Sequence, residues 1–109
     1  MGYKISKGGN PNMSSLADYM EASYDDLVKA FGEPTYIDED RDTKVNFEWV
    51  LTVEDENSDF NEVVTIYNWK DYDGGNHARY SNSYRWHLGA HKGYAASIFK
   101  QEFLNGVSA

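Results

Sequence analysis

Cysteine is absent from this 109-residue chain, which excludes disulfides, thiolate-bound zinc and a cysteine nucleophile and suits a reducing compartment. Long apolar runs are absent too. No stretch approaches the roughly 18 residues of a membrane helix, and the opening MGYKISKGGNPN lacks the apolar centre of a secretion signal. The expectation is a soluble, cytoplasmic protein with no membrane partner. Basic residues are few, ten Lys and Arg against eighteen Asp and Glu, so direct binding to duplex DNA, which rests on neutralising phosphates, is not expected. Neither a phosphate-cradling glycine loop nor a G-x-S-x-G turn occurs. No catalytic residue and no cofactor are expected.

The charge that is present is uneven. Residues 1–62 carry fifteen acidic and five basic side chains, a net of −10; residues 63–109 carry three and five, a net of +2. The acidic excess concentrates in two stretches. One holds Asp38, Glu39, Asp40 and Asp42, and the other holds Glu54, Asp55, Glu56, Asp59 and Glu62. Such runs are solvated loops in most proteins, and together they can also mimic nucleic-acid phosphates before a basic protein surface.

Residues 1–12 have no hydrophobic period and read as a flexible arm, followed by one domain over residues 13–109. LADYMEA fits a strand or a helical turn. Ser23 and Asp26 form an acidic variant of the capping box. Tyr24, Leu27, Val28 and Phe31 then make one helical stripe, which Gly32 and Pro34 end. From Lys44 to Val53 the chain alternates strictly, with Val45, Phe47, Trp49, Leu51 and Val53 on one side. A second strand runs from Glu62 to Tyr72, apolar at first on both faces, and a third from Ser83 to Leu88. A helix from Gly93 or Tyr94 to about Leu104 closes the sequence. The fold class is α+β: a small antiparallel sheet of three to four strands with two packed helices.

Few residue patterns carry chemistry. His87 and His91 have H-x-x-x-H spacing, but Gly89 lies between them on a strand end and no third ligand is evident. An EF-hand loop begun at Asp55 places Phe60 where glycine is needed and Ile66 where the bidentate glutamate belongs. No metal is expected. What remains is a polar set between aromatics. If Phe47, Trp49, Tyr67, Trp69, Tyr84 and Trp86 face inward, then Glu48, Asn68, Lys70, Arg85 and His87 share the other face. The loops add Tyr72 and Arg79. This set is a candidate binding surface, either for a protein or for a nucleotide-like molecule held by cations at its phosphate and a ring at its base.

The stretches SYDDLVKAFGEPT, EWVLTVED, VVTIYNWKDYDGG and WHLG, in this order, resemble a group of small acidic proteins encoded by large tailed bacteriophages. The resemblance covers roughly Ala22 to Ala90, and Ala90 stands where the group's WHIGG motif has its second glycine. A helix ending in FGEPT ahead of antiparallel strands is also similar in outline to outer-membrane assembly lipoproteins of the BamE type, without their lipid-bearing cysteine. The phage resemblance implies a phage origin and an infected bacterial cytoplasm as the setting, and it transfers no site residue. By analogy it implies a non-enzymatic accessory protein that binds and inhibits a host protein with a basic surface, as an anti-defence or takeover factor. A nucleotide or cyclic-nucleotide sequestering protein is the alternative and a virion or assembly component the third. Self-association is compatible with each.

Overall fold

The alternation expected over 44–53 becomes a strand only from Phe47, and that strand runs through the sheet to Asp55. In the computed structural model, which describes residues 3–12 and 14–108 (the last two by backbone only), the order is β1 (Tyr3–Lys7), β2 (Ser15–Ala22), α1 (Tyr24–Phe31), β3 (Tyr36–Ile37), β4 (Phe47–Asp55), β5 (Asn61–Tyr67), α2 (Asn76–Tyr80), β6 (Tyr84–Ala90) and α3 (Gly93–Ser108). The strands form one antiparallel sheet in the order β1-β4-β5-β6-β2. The short β3 pairs with the edge of β4 that β1 also uses, further along it. Between those two partners Val50 is satisfied in both directions. Its N–H donates to Thr35 Oγ1 at 3.0 Å, and its carbonyl accepts from the Gly8 N–H at 2.8 Å.

The expectation of three to four strands and two helices is therefore corrected to six strands and three helices among the described residues. Residues 3–7, expected within a flexible arm, form β1 and lie antiparallel along Leu51–Asp55. Met1, Gly2 and Met13, which belong to the same expectations of arm and domain start, lie outside the described residues, as does Ala109. The ambiguous LADYMEA is the body of β2, whose register slips between Leu16 and Asp18. That irregularity breaks the period of two that would have marked a strand. The added helix, α2, is five residues long and sits inside a stretch of turn formers.

Helix α1 starts and stops as its sequence dictates. Ser23 Oγ accepts from the Asp26 N–H at 3.0 Å, and Gly32 adopts φ 82° while its N–H donates to the Val28 carbonyl. Its apolar stripe faces the sheet. Tyr24 meets Phe47 and Trp49 edge-on, and Phe31 packs on Phe99 and Phe103 of α3. At the centre Trp49 and Trp86 pack edge to face with ring centroids 5.5 Å apart. Each indole also donates a hydrogen bond of 2.9 Å. Trp86 Nε1 reaches the Ala22 carbonyl just ahead of α1, and Trp49 Nε1 reaches the Gly32 carbonyl just after it. The two tryptophans thus hold both ends of one helix.

All this packing uses one face: Phe47, Trp49, Leu51 and Val53 of β4, Val64 and Ile66 of β5, Trp86 and Leu88 of β6, Met20 and Ala22 of β2. Among the described residues the opposite face carries no helix. The link between β1 and β2 crosses part of it instead. Thr52 Oγ1 donates to the Gly8 carbonyl at 2.8 Å, and a Cβ on Gly9 would come within 2.7 Å of that hydroxyl. Beyond it Pro11, Ser14 and Ser15 border a small depression shared with Thr65, Tyr67 and Gly89. Gly89 itself has no room for a side chain, since a Cβ there would sit 2.5 Å from Thr65 Oγ1.

The two indole bonds differ in exposure, and so will their loss. The Ala22 carbonyl is buried with Trp86, whereas Gly32 lies at the surface where water can replace an indole. We expect Trp86→Phe to cost about 1–3 kcal/mol for the stranded carbonyl in addition to lost ring packing. Urea unfolding should show Trp49→Phe to be the milder substitution.

Candidate functional site

On the helix-free face one row of side chains runs across five strands. The register places Tyr36 opposite Glu48, Glu48 opposite Tyr67, Tyr67 opposite His87, and His87 opposite Tyr19. Directly opposed residues share a face of the sheet, so the five form a continuous band from β3 to β2. Trp69, just beyond the end of β5, joins it with its ring centroid 6.1 Å from that of Tyr67 and 6.3 Å from that of His87. At the far end the Arg85 guanidinium stacks over Tyr19 at 3.9 Å. Trp69 and Tyr36 remain 40 % and 44 % exposed, large aromatic surfaces facing solvent beside polar groups.

Glu48 is the electrostatic centre of the band. Its side chain is half-buried, and desolvation raises its pKa above the ordinary carboxylate range. Among the described residues it has neither an ion pair nor a side-chain hydrogen bond. Both neighbouring phenols have raised pKa values: Tyr67 through burial and then the Glu48 charge, and Tyr36 through desolvation, then its hydrogen bond to Asp38 and the Asp38 charge, with Glu48 the smallest cause. His87 is shifted the other way. Burial, then the Arg85 charge, lower its pKa against a weaker opposing pull from Asp71, so its imidazole is neutral at pH 7. Its Nδ1 is buried without a hydrogen-bond partner.

This arrangement corrects the expected face. Glu48, Arg85 and His87 do lie together, but Tyr67 stands with them, and Asn68 points the other way. Asn68 is fully buried and saturated. Its Oδ1 accepts from the N–H groups of Asn46 (2.8 Å) and Phe47 (2.9 Å), and its Nδ2 donates to Asn46 Oδ1 (2.9 Å) and Asp71 Oδ2 (3.1 Å). Asp71 Oδ2 also accepts from the Tyr84 hydroxyl at 2.6 Å, and Asn46 Nδ2 donates to the carbonyls of Asp38 and Asp40. Asn68 is thus a structural lock between the loops at the start of β4 and the end of β5. Lys70 and Tyr72 sit in the second of these loops with left-handed backbones (φ 56° and 54°), and the Lys70 ammonium lies 5.6 Å from the Trp69 ring centre. Arg79 belongs to α2 on the core side, where it pairs with Glu39 at 3.1 Å and stacks over Tyr24. The expected cations and amide do not converge on one ligand.

The acidic stretches are likewise separate. Asp38–Asp42 leads into β4, whereas Glu54–Glu62 surrounds the β4–β5 turn, at the far end of a strand roughly 23 Å long between Phe47 and Glu54. Several of these carboxylates shape their own loops. Asp38 accepts from the Asp40 N–H, Asp40 from the Asp42 N–H, and Asp55 from Asn57 N–H and the Ser58 hydroxyl. Glu54 stands opposite Lys4. Among the described residues no group of three or more His, Asp or Glu is placed to hold a metal ion, and no helix is long and apolar enough to cross a membrane.

Tyr36, Tyr67, Trp69 and Tyr19 were not singled out from sequence as site residues. Strict alternation through Glu48 marks the correct face of β4. The missing step was the register that sets Tyr67 against it. No protein-family model matches this chain, and neither the curated proteins nor the solved structures hold a significant match to it.

Two substitutions separate the lock from the band. Asn68→Ala strands two buried backbone N–H groups, and we expect a loss of about 2–4 kcal/mol in denaturant unfolding. Glu48→Gln should instead stabilise at neutral pH. Because the folded state penalises the charged carboxylate, wild-type stability rises relative to the variant as pH falls through the raised pKa of Glu48 toward about 4.3, the unfolded value. Paired unfolding curves across that window should show the gap closing on acidification.

Proposed function

We propose that this chain is a non-enzymatic binding protein that docks the helix-free face of its sheet onto a basic protein of the host cell and blocks it. The observation that supports this reading is the band of Tyr36, Glu48, Tyr67, His87 and Tyr19, in which Tyr36 and the flanking Trp69 and Arg85 are exposed and the other four residues partly so. Tyrosine, tryptophan and arginine dominate the energetics of protein interfaces because they bring large contact area with a polar tip. The net charge of −8 adds long-range attraction to a basic partner. The resemblance to phage proteins supplies the setting: a factor acting in the cytoplasm of an infected bacterium. Phosphate mimicry by the acidic stretches has less support, since these lie at opposite ends of β4 and much of their charge is engaged locally.

The test compares the two surfaces in one experiment. Tagged wild type, a Tyr36→Ala/Trp69→Ala variant and a Glu54→Gln/Glu56→Gln/Asp59→Asn variant are used as baits in host lysate at low and high salt. A protein retained by wild type and by the hairpin variant, lost from the band variant and weakened by salt is the expected result. Equal recovery by the band variant, with both baits folded by circular dichroism, rejects docking through this face.

A further inference from the structure

The centre of the band has the composition of a cation site. Glu48 lies between two tyrosines directly opposed to it, Tyr36 on one neighbouring strand and Tyr67 on the other, and Trp69 borders the same space. A shallow depression of about 580 Å³ opens there, lined by Tyr36, Glu48 and Trp69 together with Val45 and the Asp42–Lys44 segment. A second, of about 240 Å³, reaches Glu48, Tyr67 and Trp69 from the side of the β1–β2 link. Aromatic rings around a half-desolvated carboxylate attract a cation twice, through the ring faces and through the charge. Lys70 already places its ammonium 5.6 Å from the Trp69 ring centre and Lys44 lines the depression, but neither forms an ion pair with Glu48, so the carboxylate is the group left without a cation.

We infer that the Tyr36–Glu48–Tyr67–Trp69 cluster receives one basic side chain, arginine or lysine, projecting from the surface of the partner protein. The inference rests on the docking proposed above and names what that face recognises. Charge complementarity selects this occupant. An acidic or phosphorylated segment would meet the Glu48 carboxylate, and a purely apolar one would leave it desolvated without a counter-charge. A basic side chain covers the rings with its methylenes and brings its charge to the carboxylate.

The test uses the whole chain and three small probes: the N-acetyl amides of arginine and lysine, and of citrulline, which matches arginine in shape without its charge. Amide and side-chain NMR should show saturable shifts at Tyr36, Glu48, Tyr67 and Trp69 with arginine or lysine in the millimolar range, and none with citrulline. The Glu48 carboxyl carbon should titrate at lower pH with the cationic probe bound, a change that a merely structural carboxylate would not show. Glu48→Gln should weaken binding at least about tenfold while remaining folded. Citrulline binding as well as arginine, shifts spread away from the cluster, no shift with either cation, or unchanged binding by Glu48→Gln would each overturn the inference. If the probes fail while Tyr36→Ala/Trp69→Ala still loses its partner, the cation site is wrong and docking through the face survives. If the probes bind and that variant keeps its partner, the proposed docking is wrong.

Discussion

Two indole N–H groups decide which side of this sheet is open. Trp49 and Trp86 lie edge to face in the core, and each donates to a backbone carbonyl at one end of α1. A helix of eight residues is too short to be stable by itself, so its place is set by what it buries and by these two bonds. Once α1 is held there, Phe31 offers a surface to Phe99 and Phe103, and α3 settles on the same side. The helices then occupy one face completely. The other is left to a chain segment and a band of aromatic and ionisable side chains.

The polar groups of the molecule fall into two kinds. Around Asn46, Asn68 and Asp71, donors and acceptors are matched in a closed set, and such a network favours a single arrangement of the loops it joins. Around Glu48 and His87 they are not. One carboxylate lacks a counter-charge and one imidazole nitrogen lacks a partner, within a row where register gives each a tyrosine neighbour instead. The unmet polar groups among the described residues therefore lie on the side of the sheet away from the helices, while the network at the loops is closed.

How much of this could be read from residues alone depended on how much each segment specifies its own phase. β4 alternates strictly, and Phe47, Trp49, Leu51 and Val53 face the core as the alternation implies, whereas Val45 lies ahead of the strand and borders the depressions beside Glu48 and Trp69. The capping serine and terminal glycine of α1 also act where their chemistry places them. The middle of β5 reads VVTI, apolar on both faces, and such a strand does not reveal which side its aromatics take. Its phase comes from pairing with β4 and from the need to bury Asn68 beneath two N–H groups, both long-range facts. Residue pattern alone therefore places Tyr67 and Trp69 in the core and Asn68 at the surface, the reverse of their positions. β1 is only five residues with two apolar ones at alternate positions, and β2 has its period interrupted, so the sheet was undercounted at both edges.

The link that crosses the open face joins the two outermost strands of the main strand path, and this has a consequence for how the chain acquires its structure. β1 and β2 are first in sequence, yet Tyr3 pairs with Asp55 and Ser15 with Ala90. A ribosome must deliver half of the polypeptide before β1 has anything to hydrogen-bond to, and most of it before β2 meets β6. Contacts of such long sequence separation make assembly slow compared with a helical bundle of equal size. In the interval a short amphipathic helix and an incomplete hairpin are all that local sequence can form, and unpaired strand edges of this kind are open to misassociation.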